Sequence, residues 1–122
     1  MNSKSYTLGS FIADVRSILR DSNSTAYHWT DATILAGVCD ALAFLGSVRP
    51  TTRYGENGTL REYDFPSGET QLKAYSAWIP ENCRVGVVYY AAARCFEPDV
   101  TDTVNLQLAA TLKQQAEAVF RQ

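Results

Sequence analysis

The residues best suited to chemistry are few: one histidine, His28, and three cysteines, Cys39, Cys83 and Cys95. A histidine general base needs an orienting partner and a substrate within hydrogen-bond reach. No nucleophile and orienting group stand together at helical spacing around His28. It lies beside Trp29 in a loop, where a packing or surface role is the expected one. The four residues together would make a zinc set on paper, but structural zinc sites are built on close pairs. No CxxC or CxH pair occurs. Cys39 and Cys95 fall within or beside apolar stripes, where a free cysteine acts as a small hydrophobe. An odd cysteine count without an export signal favours free thiols over a disulfide framework. Gly55-Glu56-Asn57-Gly58 lacks the lysine and the strand–loop–helix setting of a phosphate loop. There is no GxSxG elbow, and Glu62 and Asp64 sit in a polar stretch where solvation is the default. The chemistry expected of the chain is therefore that of contact: no enzyme, metal or cofactor.

The side chains that suit contact gather in one region. Arg49, Arg53 and Arg61 bracket the polar segment 51–77, with Tyr54, Tyr63, Phe65 and Lys73 among them. Tyrosine with arginine is the composition favoured at protein–protein hot spots. Pairing with an acidic patch on a neighbouring subunit and simple solvation of the loop both remain open for these arginines. The formal net charge of -2 argues against an autonomous nucleic-acid binder, which would present a basic face. No apolar run approaches the ~20 residues of a membrane span. The opening MNSKSYTLGS does not read as a signal peptide, so a cytoplasmic chain is expected.

A chain of 122 residues, 46% apolar, is one domain's worth and buries one modest core. Four helices are expected to frame it. Residues 1–6 are polar and expected to fray. The first helix is expected over 8–20, capped by Thr7, with Leu8, Phe11, Ile12, Val15, Ile18 and Leu19 at i, i+3, i+4, i+7 spacing. The short loop 21–26 makes it a neighbour of the second helix, and Trp29 is expected to cap the seam between them. That second helix, 31–46, has Thr30 as N-cap, Asp31 in its first turn and a Leu35, Val38, Leu42, Leu45 stripe. Gly46 is expected to end it, with Pro50 preventing its return. Thr33, Gly37, Asp40 and Phe44 lie on the other side, where Phe44 is covered either by the insertion that follows or by another subunit, with coverage from within the chain the expected case.

Segment 51–77 has no helical period. Thr59–Phe65 and Thr70–Tyr75 read as two strands about a Pro66-Ser67-Gly68-Glu69 turn. A lone hairpin is marginal in water, so it must pack on the helices or be completed by a neighbour. The third helix is expected over 80–97, with Pro80 in its first turn. Its stripe is Val85, Val88, Tyr89, Ala92, Cys95 and Phe96, and Ala91, Ala92 and Ala93 permit close helix approach. The fourth is expected over 102–121, with Val104, Leu108, Leu112, Ala116 and Val119 on one side and Phe120 adjoining. Its other side, including Asn105, Gln107, Lys113, Gln114, Glu117 and Arg121, is wet or faces a partner. The fold class is mainly α: a four-helix bundle-like domain with a short β-hairpin between helices two and three.

The Trp29-Thr30-Asp31 helix start, the helix ending near Arg49-Pro50, the polar insertion and the Tyr- and Ala-rich third helix together resemble the small head–tail connector (adaptor) proteins of tailed bacteriophages. The resemblance covers most of the chain in its order of parts. It implies a structural virion protein of the neck, assembled in the host bacterial cytoplasm. Such a protein forms a ring, commonly of twelve copies, under the portal protein. The ring extends the DNA channel, lets genomic DNA pass without sequence-specific binding, and receives the stopper or tail completion protein. Carried onto this chain, the resemblance implies contacts through Arg49, Arg53, Tyr54, Arg61, Tyr63, Phe65 and Lys73, and through Gln114, Glu117 and Arg121 near the end of the last helix. The chain departs from the pattern by stopping at Gln122, almost where that helix ends. The alternative from another class is a small helical DNA-binding or regulatory module. Against it, the second helix offers Thr33 and Asp40 but no Arg or Lys before Arg49.

Overall fold

The computed structural model describes residues 3–19, 29–50, 63, 65–96 and 103–121. The protein is mainly α. In chain order the elements are a strand β1 (Ser3–Thr7), a 3-10 turn (Leu8–Phe11), helix α1 (Ile12–Leu19), helix α2 (Asp31–Val48), a short helix α3 (Glu69–Ala74), a strand β2 (Ser76–Pro80), a 3-10 turn (Glu81–Cys83), and helices α4 (Arg84–Phe96) and α5 (Thr103–Phe120). Helix α4 is the central element, packed on α5, α2 and α1.

The first helix begins less regularly than its periodicity predicts. Thr7 precedes the 3-10 turn but makes no side-chain cap bond. Ser10 instead donates its hydroxyl to the Thr7 carbonyl at 2.6 Å. Leu8, Phe11, Val15 and Leu19 are buried as the stripe requires. At α2 the expected cap is formed: the Thr30 hydroxyl accepts from the Thr33 amide at 3.2 Å. The helix runs past Gly46 to Val48, closing with the Arg49 amide on the Leu45 carbonyl. Gly46 does not end it, because that bond continues the ladder up to Pro50. By length and composition α2 meets the minimum for a membrane span. The sequence expectation that no run approaches one is thus corrected, although Ile34, Leu35, Val38, Leu42 and Leu45 are all spent inside this core.

Both flanks of α2 are covered. A Cβ at Gly37 would lie 3.0 Å from the Ala91 carbonyl oxygen, so α2 and α4 touch there backbone to backbone. Phe44 stacks on Tyr90, centroids 4.9 Å apart, and lies 6.0 Å from Phe120. Its cover comes from α4 and α5, where the sequence reading expected the insertion. Trp29 is also placed differently. Its ring meets Phe96 edge-on at 5.6 Å, and its indole N–H donates to the Cys95 carbonyl at 3.0 Å. Its ring therefore fixes the entry of α2 to the end of α4.

Three further expectations are corrected. Residues 3–6 are not frayed: β1 pairs antiparallel with β2, from Ser3 opposite Pro80 to Thr7 opposite Ser76. Backbone pairing does this without help from local sequence. The expected strand Thr70–Tyr75 is the helix α3, and the strand begins only at Ser76, with Ala77 and Ile79 turned into the core. Most of the other expected strand, Thr59–Phe65, lies outside the described residues. Pro80 closes β2 instead of opening a helix; a 3-10 turn intervenes and α4 starts at Arg84. Its buried face is Val87, Val88, Ala91, Ala92, Cys95 and Phe96, with Val85 43% exposed. On α5, Ala109, Ala116 and Phe120 are buried among the residues described, while Leu108 is 45% exposed. A Cβ at Gly86 would meet the Phe120 ring at 2.6 Å, which explains why α4 carries glycine there.

Candidate interaction surface

Among the described residues, ion pairs join the elements at three places. Asp31, in the first turn of α2, accepts from Arg16 of α1 at 2.5 Å and from Lys73 of α3 at 2.8 Å. Arg16 is 7% exposed, and its other terminal nitrogen donates to the Trp29 carbonyl at 2.9 Å. The Lys73 ammonium and then the Arg16 guanidinium hold the Asp31 carboxyl below its usual range, against an opposing effect of burial. Asp31 in turn raises Lys73. Second, Arg84 lies over the Phe11 ring at 4.8 Å and the Tyr6 ring at 5.3 Å, and pairs with Asp14 at 2.6 Å. Third, Arg94 of α4 pairs with Asp40 of α2 at 3.1 Å. Sequence reasoning missed all four pairs, because each joins residues far apart in the chain.

The expected interface residues fall in separate places. Arg49 is half-buried and donates to the Cys83 sulfur at 3.3 Å. Burial raises the Cys83 thiol, and Arg49 opposes that rise. Tyr63 and Phe65 are stacked at 5.6 Å, and Phe65 meets Tyr75 edge-on at 5.4 Å. The Tyr63 hydroxyl reaches the Trp78 carbonyl at 3.4 Å. Trp78, on β2 and 49% exposed, adds an aromatic beside this group that sequence reasoning did not single out. The alternation of β2, in at Ala77 and Ile79, is the signal that would have found it. Lys73 is engaged with Asp31, as described. On α5, Gln114 is exposed, and Glu117 pairs with Arg121 one turn on at 2.7 Å. Arg53, Tyr54 and Arg61 lie outside the described residues, as does His28.

The structure thus brings Tyr63 and Phe65 together with Tyr75 and Trp78, ties Lys73 instead to Asp31, and leaves the α5 residues as a separate patch. A groove of about 560 Å³ lies between α1, α4 and α5, lined by Ile18, Leu19, Phe96, Leu108, Thr111, Leu112 and Gln115. Among the described residues its lining has no ionisable group. Among the described residues no three His, Cys, Asp or Glu side chains gather as metal ligands, and the three cysteines are free thiols. What this surface can do chemically is present aromatic and hydrogen-bonding groups to another macromolecule. Comparison with known proteins returns no match to a family model, a curated protein or a solved structure.

Proposed function

We propose that this protein is a head–tail adaptor of a tailed bacteriophage: a structural subunit that forms a ring under the portal, extends the DNA channel and receives the stopper or tail completion protein. The observation that carries the reading is the order of elements. Helix α1 leads to a Trp29-Thr30-Asp31 helix start, α2 ends immediately before Arg49-Pro50, an insertion follows, and a Tyr- and Ala-rich α4 packs on a long final α5. The aromatic group of Tyr63, Phe65, Tyr75 and Trp78 is the surface we assign to subunit and neck contacts, with Gln114, Glu117 and Arg121 as a second patch. A net charge of -2 suits a channel wall that DNA must pass without being held by its phosphates. The DNA-binding alternative finds no support in α2, whose exposed face of Thr33, Ala36, Asp40, Ala43 and Ser47 carries no Arg or Lys to meet a phosphate.

Sedimentation velocity of the protein alone and mixed with the portal ring encoded beside it tests the reading. The expected result is saturable co-sedimentation at ring-like stoichiometry. Absence of binding to an intact portal ring overturns it, and binding to duplex DNA at low salt would replace it with the second reading.

A further inference from the structure

We propose that residues 65–75 form a strap that undocks from the helical body as a unit, with the Lys73–Asp31 pair as its clasp. The strap is held unlike any other part of the fold. Helix α3 is six residues long and buries no side chain. A helix this short does not persist in water by itself, so its helicity depends on docking. Of the strap's residues, Phe65, Leu72, Lys73 and Tyr75 are half-buried, and Ser67, Glu69, Thr70, Gln71 and Ala74 are exposed. Directly after it the chain changes character, with Ala77 at 2% and Ile79 at 0% exposure anchoring β2 to the body. The hinge therefore falls at Tyr75–Ser76.

Among the described residues, Phe65, Leu72 and Tyr75 pack half-buried against the core, and three closer contacts hold the strap down. The Leu8 amide donates to the Tyr75 carbonyl at 2.9 Å. Gly9 lets the backbone of the first turn approach Lys73, since a Cβ there would lie 3.1 Å from the Lys73 carbonyl oxygen. The Lys73 ammonium reaches Asp31 at 2.8 Å. Only the last of these ties the strap to α2. Asp31 is already held by Arg16, so the clasp can open without leaving the Arg16 charge, nine-tenths buried, without its carboxylate. Few buried apolar groups and half-exposed attachments are the physical marks of a segment that opens below the free energy of global unfolding. If the adaptor reading holds, Tyr63, Phe65 and Lys73 sit on or beside this strap, so its opening decides whether their aromatic group is presented seated or released. That consequence rests on the reading; the strap itself does not.

The test is native-state amide exchange of the free protein, in the wild type and in Lys73→Met, which keeps the Arg16–Asp31 pair and the apolar stem of the side chain. The reporters are the Leu72 and Tyr75 amides, which bond to Gly68 and Leu72 within the strap. Amides of the buried face of α4, such as Ala91 and Ala92, report the body. The expected result is that the strap amides exchange faster than the α4 amides in the wild type. They should accelerate by up to roughly fivefold in Lys73→Met, the size of a half-exposed ion pair, with the α4 amides unchanged. Asp31→Asn should accelerate the strap and also the Ile34 amide at the start of α2. Strap amides that exchange only with the α4 amides in the wild type, or that do not respond to Lys73→Met, would overturn the proposal. Portal binding plays no part in the readout, so failure of the adaptor reading leaves this test intact.

Discussion

At the scale of single residues, two titratable groups report their surroundings. Burial first, and then the neighbouring Asp40 carboxylate, push the Cys39 thiol up to about 11 from an ordinary 9.0. The thiolate is the reactive form. At pH 8 the folded protein should therefore hold about a hundredfold less Cys39 thiolate than the unfolded chain. Iodoacetamide should label Cys39 correspondingly slowly until urea is added, read by mass spectrometry of the Cys39 peptide; equal rates in the two states would show that the thiol is neither buried nor opposed by Asp40. Asp31 behaves in the opposite sense. Its carboxyl is more acidic in the folded protein than in the unfolded chain. Its contribution to stability is therefore fully present above the ordinary value of 3.8 and is lost as pH falls through the lowered folded value. Lys73 is the mirror case, its contribution lost only as pH rises through a value above 10.5. Urea midpoints measured across the acid range should thus fall less steeply below pH 3.8 in Asp31→Asn than in the wild type. Parallel acid limbs would place the acid sensitivity in other carboxylates.

At the scale of elements, the tightest point is the crossing of α2 and α4. Gly37 sits where a Cβ would press within 3.0 Å of the Ala91 carbonyl oxygen and 3.2 Å of its Cα, and both are backbone atoms that cannot rotate away. Gly37→Val should destabilise the protein by roughly 2–3 kcal/mol, the usual cost of overpacking a close-packed core. Chemical denaturation reads this directly; an unchanged midpoint would mean that the helices separate at no cost. Ala36, exposed one residue earlier, is the control at which valine should have little effect. These elements were readable to different degrees. The stripes of α1 and α2 recur every three or four residues, and that period identified the helices and most of their buried side chains. On α4 and α5 the helices were legible but the faces were less so. Val85 and Leu108 continue the pattern yet point outward, because alanines, close packing and Phe120 set the true contact lines. Neither β1 nor β2 was legible, since each is defined by a partner far away along the chain, from Ser3 opposite Pro80 to Thr7 opposite Ser76. Helix α3 has a single inward aliphatic residue, Leu72, too little for any period to show. The ion pairs at Asp31, Asp14 and Asp40 were hidden for the same reason as the strands: they are properties of the tertiary arrangement.

At the scale of the whole molecule, the question is whether the surface carrying the aromatic group serves the fold or serves assembly. Tyr63 is half-buried, stacks on Phe65 and touches the Trp78 carbonyl only at 3.4 Å, at the long end of hydrogen-bonding distance. It packs half-buried at the edge of the core, whose centre is the fully buried Leu35, Leu42, Leu45, Val87, Ala91 and Phe120 of α2, α4 and α5. Tyr63→Ala should therefore cost little stability, within the range of a half-exposed aromatic pair, about 1 kcal/mol. If the adaptor reading is right, the same change should strongly reduce ring formation on the portal and the yield of infectious particles. Arg61→Glu, two residues earlier and reversing a charge in the same segment, should do likewise with an unchanged circular dichroism spectrum. The decisive comparison is between melting temperature and particle yield for the two variants. Stability retained with assembly lost assigns this surface to contact. Full particle yield from both variants would remove it from the interface and leave Gln114, Glu117 and Arg121 at the end of α5 as the surface to test next. A parallel loss of stability and assembly in Tyr63→Ala would instead make Tyr63 part of the fold.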